Sequence, residues 1–164
     1  MPNRLTGQRT LILLLALGLW FFTALPAAAQ TRLATFERGE LTIETAAGAR
    51  HDFAIELAER PDQQAQGLMY RRKLAADAGM LFVYSSSRLV SMWMKNTFIP
   101  LDMVFIGADG RIAKIVQRTV PQSLATITSD GPVLAVLELN GGTAARLKLA
   151  PGDRVLHQAF GTAP

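Results

Sequence analysis

Four polar side chains of different chemistry fall close together in this chain: Lys95, Asn96, Thr97 and, at the start of the next apolar run, Asp102. A point charge, an amide that donates and accepts, a hydroxyl and a carboxylate at one rim would hold a small polar or anionic ligand. The same residues can also satisfy one another, with Asn96 and Thr97 bonding their own loop backbone and Lys95 pairing with Asp102. Glu138 is the sharper anomaly. It stands in the apolar run Val133 to Leu139, where alternation puts it on the face of Leu134 and Val136, and an isolated carboxylate is costly to bury there. It therefore wants a cation, and Lys95 and Arg71 are the candidates. Breaking a truly buried pair costs roughly 3 to 5 kcal/mol, so such a pair would look essential without doing any chemistry. The candidate ligand-binding set is Arg71, Lys95, Asn96, Thr97, Asp102 and Glu138.

Two other chemistries compete with binding. Asp102 and Glu138 as paired carboxylates, one with a raised pKa as general acid, would make a hydrolase. No nucleophile motif or histidine partner accompanies them, so no residue is assigned a catalytic role. Five methionines follow the leader described below, and Met92 and Met94 beside Trp93 offer soft thioethers suited to Cu(I). Methionine is equally a gap-filler of cores. His51, read as exposed, and His157, read as a wall or surface residue, have no ligand-spaced partner, so neither a metal nor another cofactor is assigned. With no cysteine in the chain, a disulfide framework, a thiolate-held metal and a thiol nucleophile are all excluded.

The elements that must position these residues are short. Leu41 to Thr45 alternates apolar with polar, Ala46 to Ala49 reads as a turn, and Phe53, Ile55 and Leu57 resume the alternation, which predicts a hairpin. Pro61 suits an early helical position, and Ala65, Leu68 and Met69 follow at helical spacing. From Met80 onward the apolar residues come in strand-sized runs: Met80 to Tyr84, Val90 to Met94, Met103 to Ile106, Ile112 to Val116, Val133 to Leu139 and Val155 to Phe160. Asp109-Gly110 is a strong hairpin turn because both residues tolerate positive φ. Thr143 is the expected N-cap of a second helix through Leu147, and Pro151-Gly152-Asp153 a tight turn. The fold class is α+β: a mostly antiparallel curved sheet, or small barrel-like β core, with two short helices. If Val90 to Lys95 is one strand, Met92 and Met94 share a face and Trp93 and Lys95 the other.

Four of these segments together carry a resemblance. Gly67-Leu68-Met69-Tyr70-Arg71, Gly79-Met80-Leu81-Phe82, the stretch Met92-Trp93-Met94-Lys95-Asn96-Thr97-Phe98-Ile99-Pro100-Leu101-Asp102, and Val136-Leu137-Glu138-Leu139 with Gly152-Asp153 occur in the order of the family named domain of unknown function 192. Tyr70 and Met92, the latter where an aromatic residue is common, are mild departures. The resemblance runs from about Phe53 to Phe160. It implies a small, frequently exported domain of compact mixed β architecture, and brings no settled activity with it.

Export is also written in the first residues. Arg4 and Arg9 form a basic region, Leu11 to Leu25 an apolar one, and Ala27-Ala28-Ala29 a small-residue cleavage site. A bilayer-spanning helix wants about 20 apolar residues, more than this run supplies, although a retained anchor is the alternative. The expected organisation is a signal peptide over 1–29, cut near Ala29, a lead-in over 30–40 and one domain over 41–164. Of the chain's 17 basic residues Arg4 and Arg9 leave with the signal, so the remainder balances 15 against 13 acidic, or +2. That near-neutrality, with scattered basic residues, argues against nucleic acid. The reading is a periplasmic or extracellular non-catalytic binding module for a small polar envelope ligand or a partner protein, whose signal engages a membrane only during export.

Overall fold

The computed structural model describes residues 33–162; the expected signal over 1–29, with its cleavage site, lies outside them. Strands β1 (Glu37–Glu44) and β2 (Arg50–Ala58) form the predicted hairpin. Its turn is closed by Thr45 N–H donating to Ala49 O at 2.9 Å and Gly48 N–H donating to Thr45 O at 2.8 Å. The first strand begins at Glu37, ahead of Leu41, and so takes in the end of the lead-in segment. Helix α1 (Pro61–Gln66) is the crossover that lets β3 (Ala78–Arg88) run parallel to β2, a pairing that no tight turn can make. Every other pairing is antiparallel.

Strands β4 (Ser91–Met92), β5 (Leu101–Ile106), β6 (Ile112–Val116), β7 (Ile127–Thr128), β8 (Val133–Asn140), helix α2 (Thr143–Leu147) and β9 (Arg154–Leu156) complete the set, followed by a 3-10 turn at Gln158–Phe160. Seven strands make one sheet in the order β6-β5-β8-β3-β2-β1-β9, and β4 pairs with β7 apart from it. The two edges of the large sheet meet. Arg111 bridges Arg154, Val155 N–H donates to Gly110 O at 2.7 Å and Ile112 N–H to Asp153 O at 2.9 Å. The expected curved, barrel-like α+β core is therefore what forms, with its edge backbone groups mutually paired.

One apolar cluster fills the inside of this nearly closed sheet, built on Ile43, Phe53, Leu81, Val104, Leu137 and Val155. A second covers the outer face of β3, β8 and β5: Met80, Phe82, Met103, Phe105 and Val136 are sealed there by Leu68 and Met94. The central strands β5 and β8 are thus buried on both faces, which is why their sequences read as unbroken apolar runs. Two details depart from expectation. The run Val90 to Met94 yields only the two-residue β4, because the chain bends away to lay its following loop over the outer cluster. Thr143 is the first helical residue of α2 rather than its cap; Gly142, at φ 95, takes the cap position.

Candidate functional site

The outer cluster does not close completely. Between α1 and the residues after it, β3, β8 and the segment 91–97 lies a cavity of about 270 Å³, at the small end of ligand sites, which typically run from about 300 to 1,000 Å³. Leu68, Phe82 and Met92 form apolar walls, while Gln64, Lys95 and Thr97 supply polar atoms. Gly67 brings the end of α1 close: at φ 49 it adopts a conformation that L side chains resist, and a Cβ there would stand 2.9 Å from the Phe82 ring.

Glu138 lines this cavity from the middle of the sheet. Its register partners are Met80 on β3 and Met103 on β5, both fully buried, so its carboxyl emerges between two thioether side chains. Only 4 % of the residue is exposed, and its Oε2 is buried without a hydrogen-bond partner among the described residues. Burial pushes its pKa up to about 8, so the group is a neutral carboxylic acid at pH 7. Tyr84 stands nearby, its hydroxyl 3.6 Å from the Met92 sulfur. Burial, aided by the Glu138 charge and opposed by Arg88, raises the Tyr84 phenol to about 12. The Arg88 guanidinium lies over the Tyr84 ring at 4.4 Å, and the Lys95 ammonium over Trp93 at 5.2 Å. The two cations sit on aromatic rings at the mouth of the cavity; among the described residues none forms an ion pair with Glu138.

A family model described as uncharacterized ACR, DUF192, matches residues 42–157. The chain belongs to the DUF192 family. A solved structure from Sinorhizobium meliloti, described as a candidate transcription regulator, is 49% identical with a TM-score of 0.75, the match covering 77% of this chain and 98% of that one. A protein of unknown function from Novosphingobium aromaticivorans is 39% identical with a TM-score of 0.71, over 76% of this chain and 94% of its own. Among curated proteins none matches. Each of the four segments that resemble DUF192 sends residues into the cavity: Gly67, Leu68 and Met69; Phe82; Met92, Trp93, Lys95 and Thr97; and Glu138.

The six residues singled out in the sequence do not all meet there. Lys95, Thr97 and Glu138 line the cavity. Asn96, at φ 54, points sideways and donates to Tyr70 Oη at 3.0 Å. Arg71, proposed as a partner of Glu138, pairs instead with Glu56 on β2. Asp102 is cut off from Lys95 and faces the other way. Its register partner is Leu139, and cross-strand partners share a face, so Asp102 and Glu138 emerge on opposite sides of the sheet. The paired-carboxylate geometry that a hydrolase would need is therefore not present. Asp102 is fully buried and fully used: Oδ1 accepts from Arg118 N–H at 2.8 Å and Gly142 N–H at 2.9 Å, and Oδ2 accepts from Ala144 N–H at 2.8 Å. It ties the start of α2 and the chain after β6 to the sheet.

The thioethers diverge as well. Met94 is sealed in the outer cluster with its sulfur accepting from Thr119 Oγ1 at 3.1 Å, whereas Met92 lines the cavity. Once Val90–Lys95 is not one strand, the shared face that suggested a Cu(I) pair disappears. His51 is half-buried on β2, with a buried Nε2, rather than exposed, because β2 lies inside the sheet. His157 is a wall residue whose Nδ1 accepts from Ala159 N–H at 3.2 Å and starts the 3-10 turn. Sequence reasoning missed Tyr84, Arg88 and Gln64 at the cavity. Tyr84 and Arg88 fall on one face of a regular strand but far apart along it; the register shift of β3 between Val83 and Arg88 goes with their meeting, and the sequence carries no cue for it.

Proposed function

We propose that this DUF192 protein is an exported, non-catalytic binding domain whose cavity takes a small ligand with a hydrogen-bond acceptor, an anionic one above all. The observation that carries this reading is Glu138: a carboxyl buried in a cavity with Oε2 unpartnered among the described residues. A neutral carboxylic acid donates one hydrogen bond, and leaving such a group unmade costs about 1 to 3 kcal/mol, which a ligand's acceptor would recover. Lys95 and Arg88 at the mouth add positive charge that favours an anion over a cation. Thr97 and Gln64 supply further polar contacts and Trp93 an apolar edge. The leader at residues 1–29 supports a periplasmic or extracellular setting. A role in transcription, as in the description of the S. meliloti structure, would place the protein in a different compartment from the one that this leader addresses.

Thermal-shift screening of the protein against small carboxylates, phosphates, sugars and amines at pH 6 tests the reading. A carboxylate or hydroxyl-bearing compound should raise the melting temperature of the wild type and not that of Glu138→Leu. The wild-type response should fade at pH 9, where Glu138 is ionised and repels the acceptor. Stabilisation by amines alone, growing with pH, would show the opposite chemistry and overturn the proposal.

A further inference from the structure

The mouth of the cavity opens onto a surface of unusual composition. Three segments meet there. Tyr70 N–H donates to Asn96 O at 2.8 Å, Gln122 N–H to Thr97 O at 3.0 Å, and Met94 N–H to Ser123 O at 3.0 Å, so the chain after α1, the loop after β4 and the loop after β6 are laced together. Apolar side chains stand out from this lacing rather than into the core: Val120 is 69% exposed, Leu124 68% and Trp93 50%. Phe98 and Tyr70 join them, edge to face with their rings 6.2 Å apart.

The charge on these segments has one sign. Residues 70–76, 88–100 and 117–126 contain Arg71, Arg72, Lys73, Arg88, Lys95 and Arg118 and no acidic residue. Of the 15 basic residues after Ala29 these are six, which leaves nine against all 13 carboxylates elsewhere. The near-neutral net charge therefore hides basic segments against an acidic remainder. Arg71 is held by Glu56, and Arg118 lies against Gly142. Arg72, Lys73, Arg88 and Lys95 have no carboxylate within ion-pair distance among the described residues.

We infer that this face docks the domain peripherally on an anionic lipid surface, with Trp93, Phe98, Val120 and Leu124 dipping into the headgroup boundary and the surrounding cations on lipid phosphates. Exposed aliphatic tips ringed by Lys and Arg, with Trp and Tyr at the same level, are the composition that membrane interfaces select. Nucleic acid also takes cations and aromatic rings, but it stacks bases on open ring faces. Here the Lys95 ammonium stands 5.2 Å over the Trp93 ring and the Arg72 guanidinium 5.4 Å over Phe98. Val120 and Leu124 have no role on a phosphodiester chain, whereas a bilayer buries them. Each cation brought to an anionic surface strengthens binding roughly five-fold, and the effect falls with salt over a Debye length of about 10 Å at 0.1 M.

The test uses the protein from Gln30 onward, which excludes the apolar leader as a cause of membrane binding. The S. meliloti relative consists almost wholly of the matched region and has a crystal structure, so the domain folds alone. In this form Trp93 is the only tryptophan, Trp20 having gone with the leader. Flotation with phosphatidylcholine vesicles containing 30 mol% phosphatidylglycerol should carry the protein at 50 mM salt and release it at 500 mM. Phosphatidylcholine alone should carry at least ten-fold less, and Trp93 emission should shift to the blue only with the anionic vesicles. Arg72→Glu with Lys95→Glu should abolish flotation, and Val120→Ser with Leu124→Ser should reduce it about ten-fold; all four side chains are on the surface, so melting temperatures should hold. Failure of the unaltered domain to float with anionic vesicles at 50 mM salt overturns the inference. So does tighter binding to a 20-nucleotide single strand than to those vesicles, and so does flotation that the charge reversals leave intact.

Discussion

Asp102 and Glu138 are two buried carboxylates on adjacent strands, one register step apart, and their surroundings could hardly differ more. Asp102 accepts three backbone N–H groups, from Arg118, Gly142 and Ala144. Glu138 is between Met80 and Met103 with an oxygen that has no hydrogen-bond partner among the described residues. The first carboxylate organises backbone: without it Ala144 N–H would be a buried donor with no acceptor, and the partly buried N–H groups of Gly142 and Arg118 would lose theirs. The second bonds no other group among the described residues. A buried carboxyl where an apolar side chain would pack is the feature on which the proposed binding role rests. The contrast separates the two carboxylates more cleanly than residue type does.

The largest effect should come from the satisfied member. Asp102→Ala strands three backbone donors, the buried Ala144 N–H and the partly buried Gly142 and Arg118 N–H groups, and should lower unfolding free energy by about 3 kcal/mol. Asp102→Asn keeps the shape but turns an NH2 toward one set of those donors, and should cost about half as much. Urea unfolding of both variants at pH 7 checks this; a loss below about 1 kcal/mol for the alanine variant would mean that the two carboxylates are not different in kind.

Glu138→Gln should act in the other direction and only over part of the pH range. The folded pKa of about 8 lies above the ordinary value of 4.5. Below pH 4.5 both states hold the proton, and nothing is lost. As pH rises from 4.5 toward 8 the unfolded chain releases it while the folded one keeps it, so wild-type stability falls through that window and stays low above it. Glutamine carries no such proton. The variant should match the wild type at pH 5 and exceed it by a few kcal/mol at pH 9. His157, whose pKa burial lowers, contributes the reverse slope below its unfolded value near 6.5, and taking the difference between variant and wild type at each pH removes it. Parallel curves across pH 5 to 9 would show that the folded domain does not hold the Glu138 carboxyl above its ordinary range.

Much of this was legible in the sequence, for physical reasons that also mark where legibility ends. The β1–β2 hairpin, the Asp109-Gly110 turn and the doubly buried β8 announce themselves because period-2 alternation, positive-φ turn residues and unbroken apolar runs are local signals. Glu138 stood out for the same reason, as a charge in such a run. What lay beyond reach was non-local. That Arg71 goes to Glu56 depends on β2 running parallel beside β3 through the α1 crossover. That Asp102 turns its back on Lys95 depends on which face of β5 meets Leu139. The short β4 was hidden because Val90 to Met94 has strand chemistry, but its neighbours offer only the two-residue β7 as a partner. Tyr84 and Arg88 were overlooked because their meeting with Glu138 is set by the register of β3 against β8.

The smallest effect should come from Arg71, and its size sharpens the comparison most. Had Arg71 neutralised Glu138, its removal would have left an uncompensated buried charge at a cost of roughly 3 to 5 kcal/mol. Its partner is instead Glu56, and the two side chains retain 36% and 25% of their exposure. Water solvates both ions when the pair is broken, and holding two long side chains in one geometry offsets much of the attraction, so exposed pairs contribute about 1 kcal/mol or less. Arg71→Gln should therefore lower stability by no more than about 1 kcal/mol at low salt, and by less at 1 M, where screening acts within about 3 Å. It should also leave the pH dependence assigned to Glu138 unmoved. A steeper wild-type-minus-variant slope between pH 5 and 9 would instead place the Arg71 charge in the field of Glu138, and the proposed division between a carboxylate that serves the scaffold and one that serves a ligand would have to be redrawn around three residues.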